Sequence, residues 1–172
     1  QDDHRLDSLG SKVLRSVSMN LDAQVAAIYM VEGGELKRIA GHALDPDEPA
    51  VKKIGEGLTG QAAKDERLVH LKALPEGFRT VRGAVGSGKP HEVVIAPALV
   101  DGQLQGVIEL GFLHEVDAVE QDAIQRISTN VASAIRTAKD RTRLEDLLEQ
   151  TQRQAEELQT QQEELRVTNE EL

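Results

Sequence analysis

The sequence predicts an α+β fold: an antiparallel sheet with the N- and C-terminal helices on one face, followed by a long coiled-coil helix. Three observations carry this. Two pairs of strand-like segments are each joined by a short turn, which favours antiparallel pairing. Residues 4–21 and the stretch after Asp117 space their apolar residues by three and four, as one face of a helix does. Glu-Glu-Leu recurs at 156–158, 163–165 and 170–172, the seven-residue period that keeps one helical seam facing a partner.

Taken in order, Leu6, Leu9, Val13 and Val17 mark the apolar face of the first helix. Residues 25–31 read as a buried strand, Glu32-Gly33-Gly34-Glu35 as a tight turn, and 36–43 as the returning strand. Asp45-Pro46-Asp47-Glu48-Pro49 is a loop. A glycine-rich entry at 55–60 leads into a short helix at 61–64, and 67–71 reads as a short strand. Over 72–91, Pro75, Gly77, Gly83, Gly86, Gly88 and Pro90 break every pattern. This stretch is expected to be irregular, and long loops within compact domains often carry function. Residues 93–100 and 104–112 form a second hairpin about Asp101-Gly102. Asp117-Ala118-Val119-Glu120 fits a capping box. No Gly or Pro follows; the 55 residues of 118–172, if all helical, would extend about 80 Å. The irregular segment, with the short helix, is expected to cover the sheet face opposite the terminal helices.

The chain reads as one α+β domain with its terminal helices over 4–139 and a coiled-coil linker over 140–172. Beginning at Gln1 and stopping inside a repeat, it reads as a fragment of something longer. Net charge is −10, and 141–172 holds nine acids against four bases. That balance argues against nucleic acid and against contact with an anionic membrane surface. No apolar run approaches the ~18 residues of a membrane span. The chain has no cysteine, which removes disulfides, thiolate catalysis and Cys-zinc sites and is compatible with the cytoplasm.

In the last helix, Leu144, Thr151, Leu158, Leu165 and Leu172 take one seam position and Leu148, Ala155, Gln162 and Asn169 the other. Leu at d with one Asn at a is the register-fixing pattern of parallel two-stranded coils, so a homodimer is expected. The competing reading is a single exposed helix with a leucine stripe. Upstream, Ile127, Val131, Ala134 and Ala138 form an apolar line whose continuation would use Arg141 and Glu145. The register therefore slips by three residues before Leu144, which overwinds a coil locally. The slip makes either a bistable junction or a passive spacer.

The loop 83–89, Gly-Ala-Val-Gly-Ser-Gly-Lys, has phosphate-loop spacing, but Pro90 stands where Ser or Thr is needed and a strand follows in place of a helix. Nucleotide hydrolysis is not expected. His4, His42, His70, His91 and His114 include no i, i+4 helical pair, so no metal is expected. His91-Glu92 lies in a strand context, unlike a phosphoacceptor. Alternation places Val107, Glu109 and Gly111 on one sheet face and Ile108, Leu110 and Phe112 on the other. A carboxylate on a buried face needs partners; Arg79 and Arg82 of the irregular segment are candidates, and a structural ion pair or a half-exposed edge is the competing reading to a pocket.

Two stretches resemble a GAF domain: Ile54-Gly55-Glu56-Gly57-Leu58-Thr59-Gly60-Gln61-Ala62, and Ala96-Pro97-Ala98-Leu99-Val100-Asp101-Gly102-Gln103-Leu104-Gln105-Gly106-Val107-Ile108-Glu109-Leu110. The Gln-rich Glu-Glu-Leu helix that follows resembles the linker of membrane-anchored, often hybrid, bacterial sensor histidine kinases of HAMP–GAF–kinase layout. The resemblance implies a dimeric, cytoplasmic, non-catalytic relay module of a two-component system, its parent anchored in the inner membrane and its kinase domain following downstream. GAF domains that bind small molecules hold them between sheet and loops, which here would be a pocket lined by Tyr29, Phe78, Arg82 and Glu109. No ligand is identified and no cofactor is expected. A cysteine-linked bilin and a GAF-type sulfoxide reductase, which uses cysteines, are excluded. The alternatives are a ligand-free dimerisation or protein-docking domain, and an enzyme using Glu109 and Arg82 as an acid–base pair.

Overall fold

The computed structural model describes residues 2–74, 81–83 and 86–170, with side-chain surroundings for 6–74 and 89–170. It divides into two compact units, Gln1–Arg136 and Thr137–Leu172.

In the first unit, helix α1 (Asp2–Leu21) precedes β1 (Val25–Glu32), β2 (Glu35–His42) and β3 (Val51–Lys53). Helix α2 (Gly57–Asp65) and β4 (Val69–Leu71) follow, then β5 (Val81–Gly83), β6 (Gly86–Gly88), β7 (Glu92–Val100) and β8 (Gln103–Phe112). Helix α3 (Ala118–Glu170) begins here and runs into the second unit. The main sheet has the order β3-β2-β1-β8-β7-β4, with every pairing antiparallel. Both long hairpins close as the residues require. Gly33 and Gly34 have φ of 59° and 80°, and Asp101 and Gly102 have 50° and 70°; two successive positive φ values make the turn type that matches the twist of paired strands.

The strand alternation sorts the core into two layers. Ala26, Ile28, Met30, Val94, Ala96, Ile108, Leu110 and Phe112 face α1 and α3, meeting Leu14, Val17, Ile124, Val131 and Ile135. Ala27, Tyr29, Leu36, Val93, Ile95 and Val107 face the other way, with Ala62 and Ala63 of α2. Both terminal helices thus lie on one face and α2 on the opposite one. Gly106 lies where β8 crosses β1; a Cβ there would fall 2.2 Å from the Tyr29 carbonyl oxygen and 3.2 Å from Ile135 Cδ1.

Helix α3 starts as its capping box requires: Glu120 N–H donates to Asp117 Oδ1 at 2.8 Å, and Asp117 N–H donates to Glu120 Oε2 at 3.0 Å. Its sheet-facing residues are Ile124, Ser128, Val131, Ala132 and Ile135. Ile127 and Ala134, from the apolar line read in the sequence, lie to one side and with Leu9, Val13 and Val17 of α1 line an apolar groove.

Two elements were not expected. Strand β3 pairs with β2 at its edge, and the irregular stretch contains the two-stranded pair β5–β6. The phosphate-loop-like spacing thus falls on a strand pair, with β7 beginning at Glu92 and no helix between; residues 84 and 85 lie outside the described residues.

The second unit is helical through Glu170. Leu144, Leu148, Leu158 and Leu165 are 62%, 70%, 59% and 65% exposed, and Thr151, Ala155, Gln162 and Asn169 are exposed too. Leu172 lies outside the described residues. Along the exposed surface Arg141 bonds Glu145, Arg153 bonds Glu149, and Arg166 bonds Glu163, the one-turn pairs of a solvated helix.

Candidate functional site: a caged lysine on the sheet face opposite the terminal helices

Five side chains from five segments converge beside α2. Tyr29 comes from the centre of β1 and is fully buried. Glu109 comes from β8, one strand over, on the face that alternation assigned it. Glu48 comes from the loop after β2, where Asp45 accepts the Glu48 N–H and closes the turn. Thr59 lies in the first turn of α2, and Lys52 is the middle residue of β3.

Lys52 is the hub. Its ammonium lies 2.8 Å from Glu48 Oε1 and 3.0 Å from Glu109 Oε2. It also donates to Thr59 Oγ1 at 3.3 Å and stands 4.6 Å from the Tyr29 ring centroid, over the ring. Three oxygen acceptors and one aromatic face match what a primary ammonium offers: three N–H donors and a compact charge attracted to a π-face. The acceptors are held in turn. Thr59 Oγ1 donates to Glu109 Oε2 at 2.9 Å, and the Tyr29 hydroxyl donates to Glu48 Oε1 at 3.3 Å. Lys52 and Glu109 side chains are only 10% and 12% exposed, so the charges interact with little water between them.

The electrostatics follow from this packing. Burial by itself pushes the Lys52 ammonium down. The Glu109 charge, followed by the hydrogen bonds with Glu48 and Tyr29, outweighs burial and holds it above the ordinary lysine range. Burial, reinforced by the Glu109 charge, pushes the Tyr29 phenol up. Lys52 therefore stays charged and Tyr29 neutral near neutral pH, so the cluster holds charge in place rather than supplying a group poised to move a proton.

Of the residues expected to line a pocket, Tyr29 and Glu109 meet here through Lys52. Arg82 belongs to β5, its side chain outside the described surroundings, and Phe78 and Arg79 lie outside the described residues. The sequence reading missed Glu48, Lys52 and Thr59. Thr59 sat within a motif already singled out; Lys52 stood beside Lys53 with nothing to distinguish the two.

A second buried acid lies at the entry to α3. Glu92, 3% exposed, accepts the Val116 N–H at 2.9 Å and faces His70 Nε2 at 2.5 Å. Burial pushes Glu92 up, but the Val116 and His70 hydrogen bonds outweigh it and hold its carboxyl below the usual range. His114 lies against Glu120 at 2.8 Å, so both ends of the β8–α3 connection are tied down. Among the described residues no group of His, Cys, Asp and Glu could hold a metal ion.

A curled antiparallel sheet with helices on both faces and a charged cluster beneath its short helix defines an α+β domain. The profile of the GAF domain family matches residues 3–136, and the chain belongs to that family. No curated protein is significantly similar to it in sequence. The fold is similar to that of the GAF domain of a phosphoenolpyruvate-protein phosphotransferase from Coxiella burnetii, with TM-score 0.67 and 21% identity over 80% of this chain and 86% of that one. It is also similar to the second GAF domain of DevS from Mycobacterium smegmatis, with TM-score 0.63 and 15% identity over 81% and 99%. A type II free methionine-R-sulfoxide reductase from Thermoplasma acidophilum gives TM-score 0.63 and 14% identity over 78% and 95%. At these identities the likeness is one of fold, and the fold alone does not choose among such roles.

Proposed function

We propose that this GAF domain is a non-catalytic sensory or relay module of a bacterial signal-transduction histidine kinase, dimeric and cytoplasmic, passing conformational signals through α3 to a kinase core that follows. The observation that carries the reading is α3 itself. One helix contributes Ile124, Val131 and Ile135 to the sheet core and also bears a heptad seam of exposed leucines. An apolar stripe of that kind is buried by a partner. The residues flanking the seam favour a second copy: Gln152, Gln154, Gln159 and Gln161 are neutral, and Gln161 would face Arg166 of the second copy, so from Leu147 to Thr168 parallel pairing brings no like charges together. The groove of Leu9, Val13, Val17, Ile127 and Ala134 is a second apolar surface suited to helix pairing. The reductase chemistry set aside in the sequence reading needs thiols that this chain lacks.

The alternative, a ligand-free dimerisation or docking domain, is favoured by one observation: the cage beside α2 is already filled by the protein's own Lys52. In the relay reading a ligand acts only through unequal affinity for two packings. Light scattering on this chain and on one ending after Lys139 tests the relay reading. A dimer that becomes a monomer on truncation supports signalling along the coil; a monomer at full length overturns it.

A further inference from the structure

The cage around Lys52 has the composition of a receptor. Tyr29 supplies the π-face, and Glu48 Oε1, Glu109 Oε2 and Thr59 Oγ1 supply three acceptors at 2.8, 3.0 and 3.3 Å. Four separate segments hold these groups, and each is fixed by something other than the lysine. Tyr29 and Glu109 are locked in the central strand pair by the sheet ladder. Thr59 is set by the tight turn in which Gly55 N–H donates to Gly60 O at 2.7 Å, and Glu48 by the turn that Asp45 closes. The ammonium arrives last, on four methylenes from a three-residue edge strand. Lys52 can leave by rotating its own side chain, without unpairing β3.

We propose that this cage is a binding site for a primary ammonium group, with Lys52 as its resident occupant and a free primary amine, such as the amino group of an amino acid or an aliphatic amine, as the ligand that exchanges with it. The assignment rests on the sensory reading given above and names its ligand class. A group tethered by a short flexible chain acts at an effective concentration on the order of millimolar, so a free amine with the same contacts competes at about that level. Exchange would break the Lys52–Glu109 link between β3 and β8, which have two strands between them in the sheet. Glu109 lies between Ile108 and Leu110, which pack in the core layer that contains Ile124, Val131 and Ile135 of α3, so occupancy is read one peptide away from the helix.

The test uses n-propylammonium at constant ionic strength, with tetramethylammonium as the cation that has no N–H to donate. In Lys52→Ala, which vacates the ammonium position and the path of its methylenes, n-propylammonium should raise the unfolding temperature saturably. It should bind at least about tenfold more tightly than to the wild-type chain, where the tethered lysine competes. Glu109→Gln in that background should weaken the effect. In the wild-type chain, the Lys52 side-chain resonances should shift toward those of an exposed lysine as n-propylammonium is added. No saturable effect in Lys52→Ala overturns the proposal, as does an equal effect from tetramethylammonium or equal binding by wild type and variant. Should Lys52→Ala not fold, the wild-type titration decides alone, and unchanged Lys52 resonances up to about a hundred times the millimolar competition level overturn the proposal. Light scattering on the same samples separates the two readings: an intact dimer that ignores amines removes the ligand class and leaves the relay module standing.

Discussion

Replacing Glu92 tests how α3 is fastened to the sheet. Its carboxylate accepts the Val116 N–H two residues before the helix and faces His70 on the edge strand β4. In Glu92→Ala both contacts vanish and the buried Val116 N–H loses this acceptor. A hydrogen bond to a charged group contributes about 1.5–3 kcal/mol, and losing the two together should cost about 3 kcal/mol. With a urea slope of about 1–3 kcal/mol/M, the unfolding midpoint should fall by about 1–3 M. Tyr29 is the only tyrosine and there is no tryptophan, so tyrosine emission during a urea titration reports on the first unit alone. Glu92→Gln keeps an acceptor for Val116 and should cost about 1 kcal/mol at neutral pH. The pH dependence has a definite sign. The folded carboxyl titrates below its ordinary value of 4.5, so its contribution is present above that value and is lost as pH falls through the lower folded one. The gap between wild type and Glu92→Gln should therefore close on acidification. A loss under about 1 kcal/mol in Glu92→Ala, or a gap that stays constant down to acid pH, refutes the fastening.

Gly106→Ala should cost about 3 kcal/mol by chemical denaturation, because its Cβ would meet the Tyr29 backbone and not a yielding side chain. Glu109→Ala should cost about 3 kcal/mol by the same assay, since it breaks a buried pair with Lys52; a cost near zero would mean an open, solvated site. Leu158→Lys should weaken self-association measured by sedimentation while leaving tyrosine emission unchanged, and an unaffected dimer would move the interface off the seam. On the alkaline side, Tyr29 and Lys52 both titrate above their ordinary values of 10.0 and 10.5. Their contribution is full below those values and is lost as pH rises through the folded ones. Thermal scans from pH 9 upward should show that decline diminished in Tyr29→Phe.

What could be read in advance was what period and turn chemistry encode. Glu32-Gly33-Gly34-Glu35 and Asp101-Gly102 marked both hairpins, and alternation assigned Glu109 to the face it occupies. The capping box at Asp117 marked the start of α3. Strand β3 escaped because three residues, Val51–Lys53, are too short to display alternation. Lys52, which pairs with Glu109, escaped for a different reason. Lys52 lies 57 residues away along the chain, and only the folded order β3-β2-β1-β8 brings them together.

The sheet ends in β3 on one side and β4 on the other, each three residues long. Such edges present few open backbone donors and acceptors to a foreign strand. At those two edges strand-to-strand growth, the route by which exposed sheets recruit neighbours into fibres, finds little to pair with, while the exposed apolar stripe lies on a helix. The domain's short edge strands therefore offer neighbouring copies little to template on.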